Sequence, residues 1–384
     1  MIRNILEEHL DEAEDLFERR QLAFSMLDMT MGDLADMDAR LRAHLDGFLL
    51  GGTESWELVR GYLKEGSKGQ LFTAAVFAFE SYDESRVEEI IKALEQPTPK
   101  IIEGIGWACR MTTGTNVVGF LRHRLNSESP EVRAMALDAL VYRRVNPGEA
   151  VDRALASSDK VELIAGLNVA GMLRDSKYKP IIQNHLANED SQISGAALLA
   201  LVLHAPEQIA DTCRIILSGG GTCTAAAANL LGIVGNETDY SLLWKMTTSD
   251  DYETAKASVL AFGNLGYPAV VPALIKLLEH PKLVGVAGVS LQRIFGEIAE
   301  IEEVQSDDEL DEEETDDMAE WHPDDDLPKF AIDSVNHWWS QNVSRFPANT
   351  RFRDGIQSQA GVPNVTTAIP LGKLDDLERV LLRQ

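Results

Sequence analysis

Ser129-Pro-Glu-Val-Arg-Ala-Met-Ala-Leu-Asp-Ala-Leu, residues 129–140, is the stretch that decides the fold. A proline marks a turn, and behind it runs a helix of small residues. The pattern returns in Val161-Glu-Leu-Ile-Ala-Gly-Leu-Asn-Val-Ala-Gly-Met-Leu and in Gln192-Ile-Ser-Gly-Ala-Ala-Leu-Leu-Ala-Leu. It continues in Ala225-Ala-Ala-Ala-Asn-Leu-Leu-Gly and Ala255-Lys-Ala-Ser-Val-Leu-Ala-Phe-Gly, and Leu137, Leu167 and Leu198 keep one phase. The turn markers Pro99, Pro130, Asp159, Asp190, Gly221, Asp251 and Pro281 stand 31, 29, 31, 31, 30 and 30 residues apart. Self-similarity at such a period is the signature of a repeat architecture.

A second amphipathic helix with bulkier apolar residues follows each small-residue helix, as in Val117-Val-Gly-Phe-Leu-Arg-His-Arg-Leu, Pro180-Ile-Ile-Gln-Asn-His-Leu and Ile209-Ala-Asp-Thr-Cys-Arg-Ile-Ile-Leu. Two helices fill about 30 residues with little left for loops. A pair of this size cannot bury its apolar face alone, so adjacent pairs must stack. The alanines and glycines let neighbouring axes come close. The expected fold is therefore all-α, an α-solenoid of stacked helix pairs.

These residues resemble the HEAT-like repeat class in its short, phycobilisome-lyase-type form, most clearly in residues 129–140 and in Val259-Leu-Ala-Phe-Gly-Asn-Leu-Gly with Val271-Pro-Ala-Leu-Ile-Lys-Leu-Leu. The resemblance covers about Lys68 to Phe295. An earlier unit, Gly69-Gln-Leu-Phe-Thr-Ala-Ala-Val-Phe-Ala-Phe with Val87-Glu-Glu-Ile-Ile-Lys-Ala-Leu, reads as the first true repeat. Residues 1–67 are expected to form a helical cap, with Ile5, Leu6, Leu10, Ala13, Leu16 and Phe17 on one face of its first helix. Residues 68–298 form the repeat block, 299–328 an acidic, disordered insert, and 329–384 a capping and docking segment.

The chain has 384 residues, 35 Lys+Arg against 62 Asp+Glu, and a net charge of -27. Its 45% hydrophobic content supports a substantial core. Such a surface repels phosphate backbones and anionic lipids, which disfavours nucleic-acid and membrane binding and leaves a basic protein as the natural partner. Positions 300–326 alone carry 16 acids, and no Lys or Arg lies between Arg293 and Lys329. A solvated loop and a docking arm for a basic surface are the two readings of that run. Asp307 to Asp317 lacks the glycine and alternating ligands of a calcium loop.

Beyond the run come Trp321-His-Pro-Asp-Asp-Asp-Leu-Pro, Val335-Asn-His-Trp-Trp and Arg345-Phe-Pro-Ala-Asn-Thr-Arg-Phe-Arg-Asp-Gly. Together with Asp38-Ala-Arg-Leu-Arg-Ala-His-Leu-Asp-Gly near the start, they resemble an uncharacterised bacterial family of HEAT-like proteins. Genes of that family often sit in type VI secretion clusters beside spike, tip and toxin genes. The resemblance implies an adaptor or immunity partner for such components, and it carries over no catalytic residue. Trp321, His322, Asp324, Asp325, Asp326, Trp338, Trp339, Arg345, Phe346, Arg351 and Arg353 are the candidate partner-binding residues, because Trp, Phe and Arg make stiff, multidentate contacts. The spacing of His322, Asp324, Asp325, Asp326 and His337 matches no closed metal site. In a structural role, Asp324 would cap the helix holding Trp338 and Trp339, and the tryptophans would bury against the last repeat.

No GxSxG, GxGxxG or phosphate-binding GK[ST] loop is present, and no carboxylate pair stands out as acid and base. Neither a cofactor nor a metal ion is expected. Cys109, Cys213 and Cys223 form no CxxC pair, which fits a reducing, cytoplasmic setting, and Cys213 and Cys223 read as core thiols. A non-enzymatic interaction scaffold is the leading expectation. The alternatives are a lyase-type enzyme on a prosthetic group, drawing on Trp107, Cys109 or Trp244, and a nucleic-acid groove lined by Arg110, Arg122, Arg124, Arg143 and Arg144.

Overall fold

The small-residue helices of the chain's first half begin where a short polar side chain can close the first turn. The first amides of a helix have no partner within it, and a preceding Ser, Thr or Asp oxygen accepts from one of them. In the computed structural model, which describes residues 2–23, 31–114, 116–296, 298 and 327–358, Ser67, Thr98, Ser129, Asp159 and Asp190 do this at intervals of 30 or 31 residues. Pro99 and Pro130 follow two of these caps, at a position whose N–H would be unpaired anyway. The period seen in the sequence is thus a period of helix starts. Several second helices also open with a short 3-10 turn, at Ser176–Tyr178, Glu237–Asp239 and Pro268–Val270.

The chain folds as two compact units, one up to Pro206 and one from Glu207, a division inside the expected 68–298 block. In the first unit, α1 (Ile2–Leu22) and α2 (Met31–Leu49) pack together, and α1 also meets α5 (Lys68–Glu80); α3 (Thr53–Val59) and α4 (Tyr62–Glu65) are short connectors against α5. Leu6, Leu10, Ala13, Leu16 and Phe17 bury along one stripe of α1, and Phe17 stacks on Phe72 with centroids 4.2 Å apart. Ile5, expected on that stripe, is 50% exposed. After α6 (Glu84–Ala93) come α7 (Pro99–Met111), α8 (Asn116–Arg124), α9 (Pro130–Tyr142), α10 (Ala150–Leu155), α11 (Lys160–Leu173), α12 (Lys179–His185) and α13 (Ser191–His204). The small-residue helices α5, α7, α9, α11 and α13 lie side by side in that order, and α8, α10 and α12 each pack on the small-residue helix that follows. Neighbours on several sides make such a helix apolar nearly all round: Ile193, Ala196, Ala197, Leu198, Ala200, Leu201 and Val202 of α13 are all buried.

The second unit repeats the scheme with α14 (Ile209–Gly219), α15 (Thr224–Val234), α16 (Tyr240–Met246), α17 (Tyr252–Leu265), α18 (Val271–Leu277) and α19 (Val284–Phe295). Here α15, α17 and α19 are the row, and α14, α16 and α18 pack on them in turn. Gly232 shows how close the row is. A Cβ there would lie 2.6 Å from the Ala261 Cα, so a side chain would push α15 off α17. Ser290 of α19 adds a buried hydrogen bond, its hydroxyl donating to the Val259 carbonyl at 2.9 Å.

Arginine–carboxylate pairs stitch separate elements. Arg133 donates to both oxygens of Glu162 at 2.6 Å and to the Ser127 and Glu128 carbonyls at 2.7 and 2.9 Å. Arg214 holds Asp239 in the same two-pronged way at 2.7 and 2.9 Å. Arg42 reaches from α2 to Glu80 at the end of α5, and Glu80 also accepts from the Thr112 hydroxyl and the Thr113 amide. Burial pushes the Glu80 carboxyl up, but these donors outweigh it and leave it below the usual range.

The fold is predominantly helical, and the all-α class stands with one addition described below. Among the described residues no single helix is long and apolar enough to cross a membrane.

Candidate functional site

The last helix of the second unit's row, α19, ends at Phe295, and Gly296 leaves it with φ +79°. The chain returns as α20 (Ile332–Asn342), whose N-cap is Ala331 with no side-chain hydrogen bond. The expected capping role of Asp324 is therefore corrected: the helix begins seven residues later than that cap would place it. Val335 and Trp338 bury on one side of α20, and Trp339 is partly exposed.

A short hairpin follows, which sequence reasoning missed: β1 (Arg351–Arg353) pairs antiparallel with β2 (Ile356–Ser358), Phe352 opposite Gln357. Its two-residue turn, Asp354-Gly355, has φ of 55° and 73°, the left-handed pair that matches the twist of the strands. An Asp-Gly step between short polar-apolar runs was the available signal. The hairpin ties off helix ends that would otherwise leave carbonyls unpaired. The Phe352 amide donates to Gly266 at 2.7 Å, and the Asp354 and Gly355 amides donate to Arg293 and Ile294 at 3.0 and 2.9 Å. Gly266, at φ +68°, has no room for a Cβ, which would meet the Phe352 carbonyl oxygen at 2.3 Å.

Arg351 extends this role inward. It is 7% exposed, and its guanidinium donates to the carbonyls of Leu265, Asn264, Gly232 and Ile233 at 2.7, 2.9, 3.2 and 3.3 Å. One cation thereby caps the C-terminal ends of both α15 and α17, where the helix dipoles favour positive charge. This corrects the expectation that Arg351 meets a partner, because its donors face the interior. Arg353 is partly buried, and its guanidinium lies 3.5 Å from the Asn264 side-chain oxygen that Arg293 also holds at 2.8 Å.

Around this frame five aromatic rings converge. Phe295 meets Trp338 edge-on at 5.0 Å and Phe346 at 4.7 Å, Trp339 lies 5.6 Å from Phe295, and Phe346 meets Phe352 at 5.1 Å. Edge-to-face contacts at these separations contribute beyond area alone. An open cleft of about 320 Å³ sits among Phe295, Ile298, Trp338, Phe346 and Phe352, with Asn342 and Arg345 on its lining. Arg345 is exposed, donates to the Asn342 side chain at 2.7 Å and lies 5.7 Å from the Phe346 ring centroid. Among the described residues the lining holds no carboxylate, imidazole or thiol. What it offers is stacking area and one outward guanidinium, the makings of a recognition surface.

The candidates thus separate. Trp338, Arg345 and Phe346 line the cleft and Trp339 stacks beside Phe346, whereas Arg351 and Arg353 sit behind it as structural cations. Trp321, His322, Asp324, Asp325 and Asp326 lie outside the described residues, as does nearly all of the expected acidic insert, 299–326. His337 is exposed and 2.9 Å from the Gln341 side-chain nitrogen. Among the described residues no group of three or more His, Cys, Asp or Glu could hold a metal.

The residues named for the alternative chemistries take the following places. Burial pushes the Cys109 and Cys213 thiols up to about 12, which keeps them protonated at neutral pH and weak as nucleophiles. Trp244 stacks with Tyr240 and Phe262 in the second unit, and Trp107 lies in the first unit beneath Arg20 and Arg110. Of the five arginines expected to line a groove, Arg110 pairs with Asp138, Arg143 donates to the Cys109 and Thr112 carbonyls, and Arg124 lies over Phe120. These three are engaged within the fold, Arg143 next to Arg110, whereas Arg122 and Arg144 are exposed. No protein-family model matches the chain, and no curated protein is significantly similar to it.

Proposed function

We propose that this chain is a HEAT-like α-solenoid that acts as a non-enzymatic protein–protein scaffold, an adaptor or immunity partner of a secreted toxin or type VI secretion component with a basic surface. The observation that carries it is the cleft: three of the candidate residues chosen for their contact chemistry, Trp338, Arg345 and Phe346, line it, and a fourth, Trp339, stacks on Phe346 beside it. The rows of side-by-side small-residue helices support the solenoid, since helix pairs stacked in one direction present an extended surface. The charge supports a basic partner. Sixteen of the chain's acids stand within 300–326, which steers association and makes it salt-sensitive.

Affinity capture from native lysate at about 50 and 300 mM salt, read by mass spectrometry, tests this. A stoichiometric basic protein should be retained at low salt and depleted at high salt, as expected for a steered complex. In Arg345→Ala/Phe346→Ala its recovery should fall about tenfold, while circular dichroism shows the helices intact. Absence of any stoichiometric partner at low salt, or equal capture by the variant, would count against the proposal.

A further inference from the structure

On the first unit, far in sequence from the aromatic cleft, His9 of α1 and His44 of α2 face each other with their Nδ1 atoms 3.2 Å apart and ring centroids at 5.2 Å. Both are partly buried. The His9 ring lies against the backbone of α2 at Gly47, where a Cβ would meet its Nε2 at 2.6 Å, so the helix interface is shaped to seat that ring. A neutral pair can share one N–H between the two nitrogens. A metal ion can join the same two nitrogens without a proton, from a position beside the line between them at nearly the same separation. Two imidazole nitrogens bound at 2.0–2.1 Å to one tetrahedral ion stand about 3.3 Å apart, which is close to the separation already present.

We propose that His9 and His44 form a two-imidazole site for a borderline divalent transition ion, copper(II), zinc or nickel, that clamps α1 to α2. The donor set selects this class: imidazole suits these ions, whereas calcium and magnesium require oxygen ligands. Glu12, one turn from His9, carries the nearby negative charge, and Arg40 approaches it at 3.9 Å. With two protein ligands, the remaining coordination positions belong to water at the exposed edge. That makes the site an exchangeable clamp rather than a closed structural centre. Because α1 and α2 belong to the helical cap and not to the cleft, the site is independent of the partner-binding proposal.

Copper(II) titrated into the full-length, untagged chain in chelator-free buffer tests it, by calorimetry and electron paramagnetic resonance. The expected result is one site of about micromolar affinity whose spectrum shows coupling to two imidazole nitrogens. His9→Gln and His44→Gln, each with an unchanged circular dichroism spectrum, should weaken it about 10–100-fold. A wild-type spectrum with a single coupled nitrogen, no binding tighter than about 1 mM, or undiminished affinity in both variants would overturn the proposal. The wild-type spectrum alone decides the matter if either variant fails to fold.

Discussion

Arg351 and Glu162 show how single charged side chains are used here for construction. A buried guanidinium on four carbonyls cannot be trimmed without stranding those acceptors, and unpaired buried polar groups are costly. Arg351→Met should lower stability by about 3 kcal/mol in urea unfolding and release the hairpin to proteolysis near Phe346, with α5 to α13 little affected. Glu162 is held below the usual carboxylate range by Arg133 first and by the Ser157 hydroxyl after it, against the opposing effect of burial. A depressed carboxyl contributes stability fully above its unfolded value, about 4.3, and loses that contribution as pH falls through its folded value. Glu162→Gln should therefore cost about 2 kcal/mol at pH 7, and the gap from wild type should close as the pH drops below about 4. A gap that stayed constant down to pH 3 would mean that the ion pair contributes nothing.

The elements were legible to different degrees, and the reasons are physical. Helix starts announced themselves because a cap needs one of a few side chains at a fixed place: Thr98, Ser129, Asp159, Asp190 and Asp251 all accept from the first turn that follows. Asp159→Ala should cost about 1 kcal/mol, seen as a lower urea midpoint. Leu198 is 1% exposed within α13, between neighbours that depend on it. Leu198→Asp should place an unpaired charge there and melt several of the first unit's helices in one transition, which circular dichroism and limited proteolysis would show. The hairpin was less legible. Two strands of three residues give periodicity too little length, and only Asp354-Gly355 marked the turn. Ile5 and the cap of α20 were misjudged for a related reason, since a single turn of helix leaves the choice of face or first residue to tertiary contacts. At the site, residue type foretold the aromatic cluster, whereas the inward turn of Arg351 depends on carbonyls of α15 and α17 more than 80 residues earlier in the chain. No local pattern encodes that pairing.

At the scale of the molecule, composition and repetition point the same way. A chain with net charge -27 that still buries rows of Ala, Leu and Val must keep most of its acids outside a core made from many short contacts between neighbouring elements, and pairs those it buries, Glu162 and Asp239, with arginine. Replacing the acids of 307–317 by Ser and Gln should leave the partner's affinity at high salt nearly unchanged and slow its association at low salt, measured by stopped-flow mixing. The central proposal, helix pairs stacked in one direction to form a solenoid, is tested most directly by small-angle X-ray scattering of the monomeric chain. A compact domain of 384 residues has a radius of gyration of about 21 Å. A stacked array should give a clearly larger value, with a rod-like cross-section and a pair-distance distribution skewed to long distances; a radius near 21 Å with a symmetric distribution would contradict it.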